Sequence, residues 1–278
     1  MLRVRGRSVT TVLRLSDERS FVRQSTIGWD RDGVLWVGEY GVFPGARCAH
    51  LYRSLDGGAR FSTVASFERA RHLHLVKPLA DGRVAVTTGD LANEQRLYLL
   101  GPNGRRVPAL ASMSGFTACV ESGDRLVFGS DLLEGNGLVR LDPRLRRAPE
   151  VFPLSGAVDL QCRTLLRTDE GRLFALLSLD ADLRAADRVR DRRPALLSSV
   201  DDGRDWTLEH VFAADGADAP ESLIALPGDA GFLTTISTGG GAWPSSSTLL
   251  TPVESAPAFS DVQAHRRERS GSAAGVDR

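Results

Sequence analysis

The sequence is poor in cysteine, lysine and aromatic residues. Its 278 residues include 3 cysteines, 6% aromatic residues and a single lysine, Lys77. Cys48, Cys119 and Cys162 are odd in number, lie far apart and form no C-x-x-C pair. This pattern argues against both a disulfide framework and a structural zinc site.

Net charge and long apolar runs are missing as well. The 35 acidic side chains balance 35 basic ones, so the chain lacks the excess positive charge typical of proteins that bind nucleic acids or anionic membranes. No apolar run approaches the roughly 20 residues that span a bilayer. Residues 1–15 alternate arginine with apolar residues and lack the apolar core of a signal peptide. We therefore expect a soluble cytoplasmic protein that binds neither nucleic acid nor membrane.

The sequence does contain an internal repeat. Five times, a short apolar run, a Gly- and Asp-rich turn and a second apolar run follow one another, a pattern typical of a β-hairpin. The five hairpins lie at residues 26–37, 73–86, 118–128, 164–177 and 223–234. Their turn glycines are 49, 41, 48 and 60 residues apart. A period near 45 with further short strands in each unit indicates the blades of a β-propeller, whereas a β-sandwich has no reason to repeat at this interval.

The sequence thus predicts an all-β fold, a propeller of five four-stranded blades, with a sixth blade left open. The fifth unit shows three strands, the last at 248–253, and we expect the strand at 8–15 to supply its missing outer strand and close the ring. Residues 1–259 are predicted to form a single domain. Residues 260–278, rich in Ser, Ala and Arg, are predicted to be a disordered tail.

Two turns in different units share the pattern S-x-D-x-G-x-x-[WF]. The matching residues are Ser54, Asp56, Gly58 and Phe61 in the first turn, and Ser199, Asp201, Gly203 and Trp206 in the second. The Ser and Asp side chains are expected to form hydrogen bonds within the turn, Gly permits a positive φ, and the aromatic ring packs between sheets. The two turns are 145 residues apart, about three periods. This pattern resembles the structural Asp-box, or BNR repeat, of sialidase-like β-propellers.

The resemblance implies a propeller fold and a carbohydrate ligand, but it does not extend to the sialidase mechanism. Hydrolytic members of the family carry an arginine triad, a Tyr–Glu nucleophile pair and an Asp acid/base. This chain has no Arg-Ile-Pro-like segment near its N-terminus and only 3 tyrosines. Tyr40 directly follows Glu39, and adjacent residues of a strand point to opposite sides, which is a poor geometry for such a pair.

Acidic residues recur just after the second strand of three units, at Glu39, Asp90 and Asp131. In a propeller these positions share a face with the loops that enter each blade. The entry to the second blade carries His72 and His74, which alternation points in the same direction. We predict Glu39, His72, Asp90 and Asp131 as catalytic residues in general acid/base chemistry. The alternative is that the Gly-Asp pairs only form tight turns with solvated carboxylates.

Further residues on this face are predicted to bind a substrate. They are Tyr40, Arg71, His74, Arg163 and Trp243. The two arginines are suited to a carboxylate on the ligand, and the tryptophan, in a Gly-rich loop, is suited to stacking on a sugar ring. No cofactor is predicted. The same acids and histidines are also suited to a divalent cation, and the sequence leaves that alternative open.

Two functions of different classes remain from the sequence. The first is a carbohydrate-active hydrolase or lyase, with an acidic sugar as the favoured ligand. The second is a non-catalytic propeller that binds a glycan or a protein partner through the same face. A propeller fold does not choose between them, because propellers serve both functions.

Overall fold

A computed structural model describes most of the first 251 residues of the chain. The described residues are 1–41, 48–91, 93–101, 104–111, 115–130, 136–144, 146–154, 160–178, 194–212, 218–225, 232–238 and 245–251. Among them, no helix is both long enough and apolar enough to cross a membrane. The chain divides into two compact units, Met1–Thr117 and Ala118–Arg278. The predicted tail and the assignment of 1–259 to one domain stay predictions.

The first unit contains one two-stranded and two four-stranded antiparallel sheets. Its strands are β1 (Leu2–Arg5), β2 (Ser8–Thr11), β3 (Ile27–Trp29), β4 (Leu35–Gly38), β5 (Cys48–Ser54), β6 (Ser62–Glu68), β7 (Leu73–Pro78), β8 (Val84–Thr88), β9 (Arg96–Leu100) and β10 (Arg106–Ala111). A 3-10 helix at Gln24–Thr26 directly precedes β3. The sheets are β1-β2, β3-β4-β5-β6 and β7-β8-β9-β10. Each four-stranded sheet keeps the order of the chain, as in a propeller blade.

The second unit is built in the same way, and β11 begins just before it. Its strands are β11 (Phe116–Ser122), β12 (Arg125–Ser130), β13 (Gly137–Leu141), β14 (Glu150–Pro153), β15 (Gln161–Arg167), β16 (Leu173–Ser178), β17 (Ala195–Ser199), β18 (Thr207–Val211), β19 (Asp218–Ala225), β20 (Phe232–Thr238) and β21 (Ser245–Thr251). They form sheets of four, four and three strands in chain order. The all-β prediction is confirmed, and each of the five predicted hairpins is an antiparallel pair of strands.

Apolar side chains from the two four-stranded sheets of the first unit pack together. Trp36, Leu51, Phe67, Leu73 and Val86 belong to one buried cluster. The sheets approach so closely that a Cβ on Gly28 would lie 2.4 Å from Cδ of Pro78. Glycine at this position therefore lets β3 lie against the C-terminal part of β7.

The N-terminal strand β2 is part of a local hairpin. β2 pairs with β1 in a two-residue hairpin, with Gly6 at a φ of +58°. The sheet of the last repeat has three described strands, β19 to β21, and closure of the ring by residues 8–15 stays a prediction. Only Gly6 and Arg7 separate the two strands, so their pairing closes a very short loop and costs little chain entropy.

The two S-x-D-x-G turns have nearly the same hydrogen bonds. In the first, the Ser54 hydroxyl donates to Oδ1 of Asp56 (2.8 Å) and accepts from the amide of Gly58 (2.8 Å). In the second, the Ser199 hydroxyl donates to Oδ1 of Asp201 (2.8 Å), and the amide of Gly203 donates to it (3.0 Å). Both glycines have a φ near +80°. Trp206 is buried in the core of the second unit, while Phe61 packs half-buried against a small apolar cluster of the first.

Candidate functional site

Two histidines of the first unit lie side by side at the start of β7. His72 precedes the strand and forms an isolated β-bridge with Tyr40, and His74 lies within it. The β7–β8 ladder shifts register between Leu73 and Leu75, so His74 is the extra residue of a bulge. Both side chains are buried, their rings stack with centroids 4.7 Å apart, and their Nε2 atoms are 2.8 Å apart. As alternation predicts, the two imidazoles point in the same direction.

The carboxylate of Asp90 meets both imidazoles. Oδ1 lies 2.7 Å from Nε2 of His74, and Oδ2 lies 3.2 Å from Nε2 of His72. Asp90 follows β8 after Gly89, whose φ of +63° turns the chain and whose amide donates to the carbonyl of His72. Because β7 and β8 are paired, this turn places Asp90 at the end of the strand that carries the histidines. The Asp90 side chain is 48% exposed, so the cluster of His72, His74 and Asp90 opens to solvent at the carboxylate.

Arg71 already has two carboxylate partners within the chain. One guanidinium nitrogen donates to Oδ2 of Asp90 (3.1 Å), and Nε donates to the Glu94 carboxylate (2.9 and 3.1 Å). Glu94 raises the pKa of Arg71. Burial alone would raise the pKa of Asp90, but when the imidazoles of His72 and His74 are protonated, their hydrogen bonds and charges outweigh burial and hold that pKa well below its usual range. The Arg71 guanidinium therefore serves first to hold Asp90 and Glu94 in place.

Tyr40 extends the row of rings on the other side of His72. Its ring stacks on the His72 imidazole at 4.2 Å between centroids, and Phe21 packs against it at 5.1 Å. Phe21 is 44% exposed, so the row ends in an accessible aromatic side chain. Arg23 lies over the Tyr40 ring and donates to its hydroxyl (3.1 Å). Among the described residues, no carboxylate lies within ion-pair distance of the Arg23 guanidinium.

Glu39 does not join the histidines. Its carboxylate is buried and accepts hydrogen bonds from the Ser16 amide (2.8 Å), the Ser16 hydroxyl (2.5 Å) and the Tyr52 hydroxyl (3.3 Å). Burial and the nearby negative charge of Glu39 raise the pKa of Tyr52. Since Glu39 and Tyr40 are neighbours in an extended segment, their side chains point to opposite sides. The structure thus gives Glu39 the role of anchoring the segment around Ser16.

The remaining predicted site residues belong to the second unit. Asp131 and Trp243 lie outside the described residues, and so does the side chain of Arg163, whose backbone lies in β15. The sequence reasoning did not identify Glu94, Phe21 or Arg23. No spacing pattern links them to the histidines, because each reaches the cluster through a turn or through the pairing of residues distant in sequence.

Comparisons with known proteins show similarity of fold only. No protein-family model matches the chain, and no curated protein matches it. A crystal structure of a protein of unknown function from Dyadobacter fermentans DSM 18053 is 13% identical, with a TM-score of 0.53, over 81% of this chain and 78% of that one. Hydrazine synthase from Kuenenia stuttgartiensis is 12% identical, with a TM-score of 0.54, over 78% of this chain and 56% of that one.

A third similar structure is that of Drosophila semaphorin 2a. It is 12% identical, with a TM-score of 0.51, and the match covers 90% of this chain and 50% of that one. The chain thus spans about half the length of the synthase and semaphorin chains that it matches. Since an enzyme and a semaphorin share this similarity, the fold does not select a function.

Proposed function

We propose that this protein is a propeller-type protein that binds a carbohydrate, with an acidic sugar favoured, at the cluster of His72, His74 and Asp90. Two features next to the cluster support this ligand class. The exposed Phe21 ring offers the flat apolar surface on which sugar rings stack. The Arg23 guanidinium, which has no carboxylate partner among the described residues, suits the carboxylate of an acidic sugar.

One observation carries the proposal. The row of rings formed by Phe21, Tyr40, His72 and His74 ends in an accessible aromatic face, and the Nε2 edges of its histidines meet a half-exposed carboxylate. A stacking surface beside hydrogen-bonding groups suits a molecule with one apolar face and many hydroxyls. Where binding leads to turnover, Asp90 and His72 are the groups placed to move a proton. Arg23 replaces Arg71 as the proposed carboxylate-binding residue, because Arg71 is already bonded to two carboxylates.

The test is a thermal-shift and NMR titration screen of uronic acids, sialic acid and neutral sugars. A sugar at 100 times its Kd stabilises the folded protein by about 2.7 kcal/mol, which for a chain of this size raises Tm by roughly 5–10 °C. We expect an acidic sugar to give such a shift. The Kd for that sugar, measured by NMR titration, should rise at least tenfold in Phe21→Ala, Arg23→Gln and Asp90→Asn.

Matched controls come from the same sheet. Trp29 and Arg31 are exposed residues at the opposite end of the β3–β4 hairpin. Trp29→Ala and Arg31→Gln therefore remove an aromatic ring and a guanidinium without touching the cluster, and both should bind like the wild type. If no sugar shifts the wild-type Tm, the carbohydrate proposal fails and a protein partner becomes the function to pursue. A neutral sugar that binds with Arg23→Gln unaffected would overturn the acidic preference.

A further inference from the structure

We propose that Nε2 of His72, Nε2 of His74 and the carboxylate of Asp90 bind a divalent first-row transition-metal ion. The three ligand atoms lie within 4.8 Å of one another. The inference goes beyond the proposed function, because a metal ion can bind here whether or not a carbohydrate does. It rests on proton positions, geometry and charge at the cluster.

The hydrogen bond of His72 determines where its proton lies. Nδ1 of His72 is 2.8 Å from the carbonyl oxygen of Gly41, which can only accept, so Nδ1 carries the proton. In the neutral ring Nε2 then presents a lone pair, and this lone pair faces Nε2 of His74 and Oδ2 of Asp90. A carbonyl that fixes the tautomer of a histidine in this way is the usual second contact of a metal-binding imidazole.

The atoms that face each other at the centre are short of protons. If Nε2 of His74 donates to Asp90 at 2.7 Å, the Nε2 lone pair of His72 still lies 3.2 Å from Oδ2 of Asp90, an acceptor opposite an acceptor. Such an arrangement is stabilised either by an additional proton or by a cation that accepts all three lone pairs. In the second case the His74 proton moves to Nδ1, which is buried and has no hydrogen-bond partner among the described residues. The metal–ligand bonds then have to outweigh the cost of this unpaired N–H.

Distances and ligand types favour a transition metal. Metal–nitrogen bonds of about 2.0–2.1 Å in a tetrahedral site put ligand atoms roughly 3.3 Å apart. The two Nε2 atoms are 2.8 Å apart, Oδ1 of Asp90 is 2.7 Å from His74, and Oδ2 is 3.2 Å from His72. Each of these contacts would have to open by about 0.6 Å or less. Two imidazoles and one carboxylate suit zinc, cobalt or iron, whereas calcium and magnesium prefer oxygen ligands.

The surroundings hold the ligands and leave room for a further one. The Tyr40 ring stacks on His72, and Arg71 holds Oδ2 of Asp90. Next to the imidazoles, the carboxylates of Asp90 and Glu94 outnumber the one guanidinium, that of Arg71, and Arg23 lies farther away over the Tyr40 ring. Three protein ligands leave at least one coordination position, which faces solvent on the side of the half-exposed Asp90. A water or a ligand oxygen would bind there.

The experiment uses the full chain without a histidine tag, first dialysed against a chelator. Zinc binding is measured by isothermal titration calorimetry, and cobalt binding by its visible absorption. We expect one ion per chain, and we expect the intense visible absorption of a cobalt ion that has fewer than six ligands. Asp90→Asn should weaken zinc binding about tenfold, and His72→Gln and His74→Gln at least 100-fold.

Two sets of controls make the outcome decisive. His210→Gln changes a histidine outside the cluster and should bind zinc like the wild type. Far-UV circular dichroism and Tm of the metal-free variants show whether the buried histidine variants fold. If they do not, Asp90→Asn decides, because its half-exposed side chain tolerates the change. Absence of one-to-one binding would show that the cluster is held by a proton and not by a metal. Equal binding by Asp90→Asn and the wild type would show that zinc binds without Asp90, and this result would also overturn the proposed site.

The same variants separate this inference from the carbohydrate proposal. Phe21→Ala and Arg23→Gln touch none of the three ligand atoms and should leave zinc affinity unchanged. Zinc binding without any sugar response would overturn the carbohydrate proposal alone. A sugar response in the chelator-treated protein that fails to bind zinc would overturn the metal site alone.

Discussion

Replacing Gly89 with alanine should damage the site by a defined steric route. A Cβ on Gly89 would lie 2.2 Å from Cβ of Glu94 and 3.1 Å from its carbonyl carbon, so the turn from β8 to β9 has to move. That turn carries the hydrogen bond from the Thr88 hydroxyl to the Glu94 carbonyl (2.6 Å) and the bond from Arg71 to the Glu94 carboxylate. Asp90 lies within the same turn.

The magnitude follows from two separate contributions. Gly89 has a φ of +63°, and an alanine in this left-handed region costs roughly 1–2 kcal/mol. Loss of the hydrogen bonds between Glu94 and its two donors adds about 2–3 kcal/mol, because one of them is charge-assisted and Glu94 is buried. Gly82, in the turn at the other end of the same hairpin, has a φ of +82° and no atom within 4 Å of an added Cβ. Gly82→Ala therefore carries the first contribution alone.

Urea and thermal unfolding of the two variants measure the difference. We expect Gly89→Ala to lose about 2–3 kcal/mol more than Gly82→Ala, which corresponds to a Tm lower by roughly 4–8 °C. Zinc titration supplies a second readout, in which only Gly89→Ala should lose affinity. Equal unfolding free energies for the two variants would refute the steric argument and show that the turn rearranges at little cost.

Three further changes test other parts of the structure. Glu39→Gln places an amide opposite the Ser16 and tyrosine donors and should lower the unfolding free energy by about 1–3 kcal/mol. Sugar affinity should be unchanged. If the variant is stable but loses sugar affinity, Glu39 takes part in binding after all. Ser54→Ala and Ser199→Ala each remove the buried hydroxyl that accepts a hydrogen bond from a turn amide. In urea titrations, the unfolding free energy of each variant should be about 1–3 kcal/mol lower than that of the wild type. An unchanged unfolding free energy in either variant would contradict this role of the serine. Burial opposes ionisation of Asp201, but the hydrogen bonds from backbone amides and the Ser199 hydroxyl outweigh it and lower its pKa. Because the pKa of Asp201 is lower in the folded state than in the unfolded state, the ionised carboxylate stabilises the folded protein at pH values above the unfolded-state pKa. The difference in stability between the wild type and Asp201→Asn should therefore be complete above about pH 4 and disappear as the pH falls further. Tm values of both proteins between pH 2 and 7 check this, and a Tm difference that does not change with pH would contradict it.

Local patterns in the sequence determined much of the architecture. Short apolar runs around Gly-containing turns specify antiparallel hairpins, because strand propensity and positive φ are properties of a few consecutive residues. The repeat placed all five hairpins, and the S-x-D-x-G pattern located two turns held by their own serines and aspartates. Alternation along the strand also placed His72 and His74 on one side, and it separated Tyr40 from Glu39.

The tertiary structure alone decided which side chains meet. Glu39 and Asp90 occupy equivalent places after the second strand of two successive repeats. Only Asp90 reaches the histidines, because it follows the hairpin that carries them and Gly89 turns the chain toward them. Arg71 is bonded to Glu94, which is 23 residues away, and this leaves Arg23 as the arginine suited to a ligand carboxylate. Pairings of this kind depend on register, on a bulge and on the competition between hydrogen-bond partners distant in sequence. No single stretch of sequence contains that information, because the energy of each contact exists only once the sheets have packed.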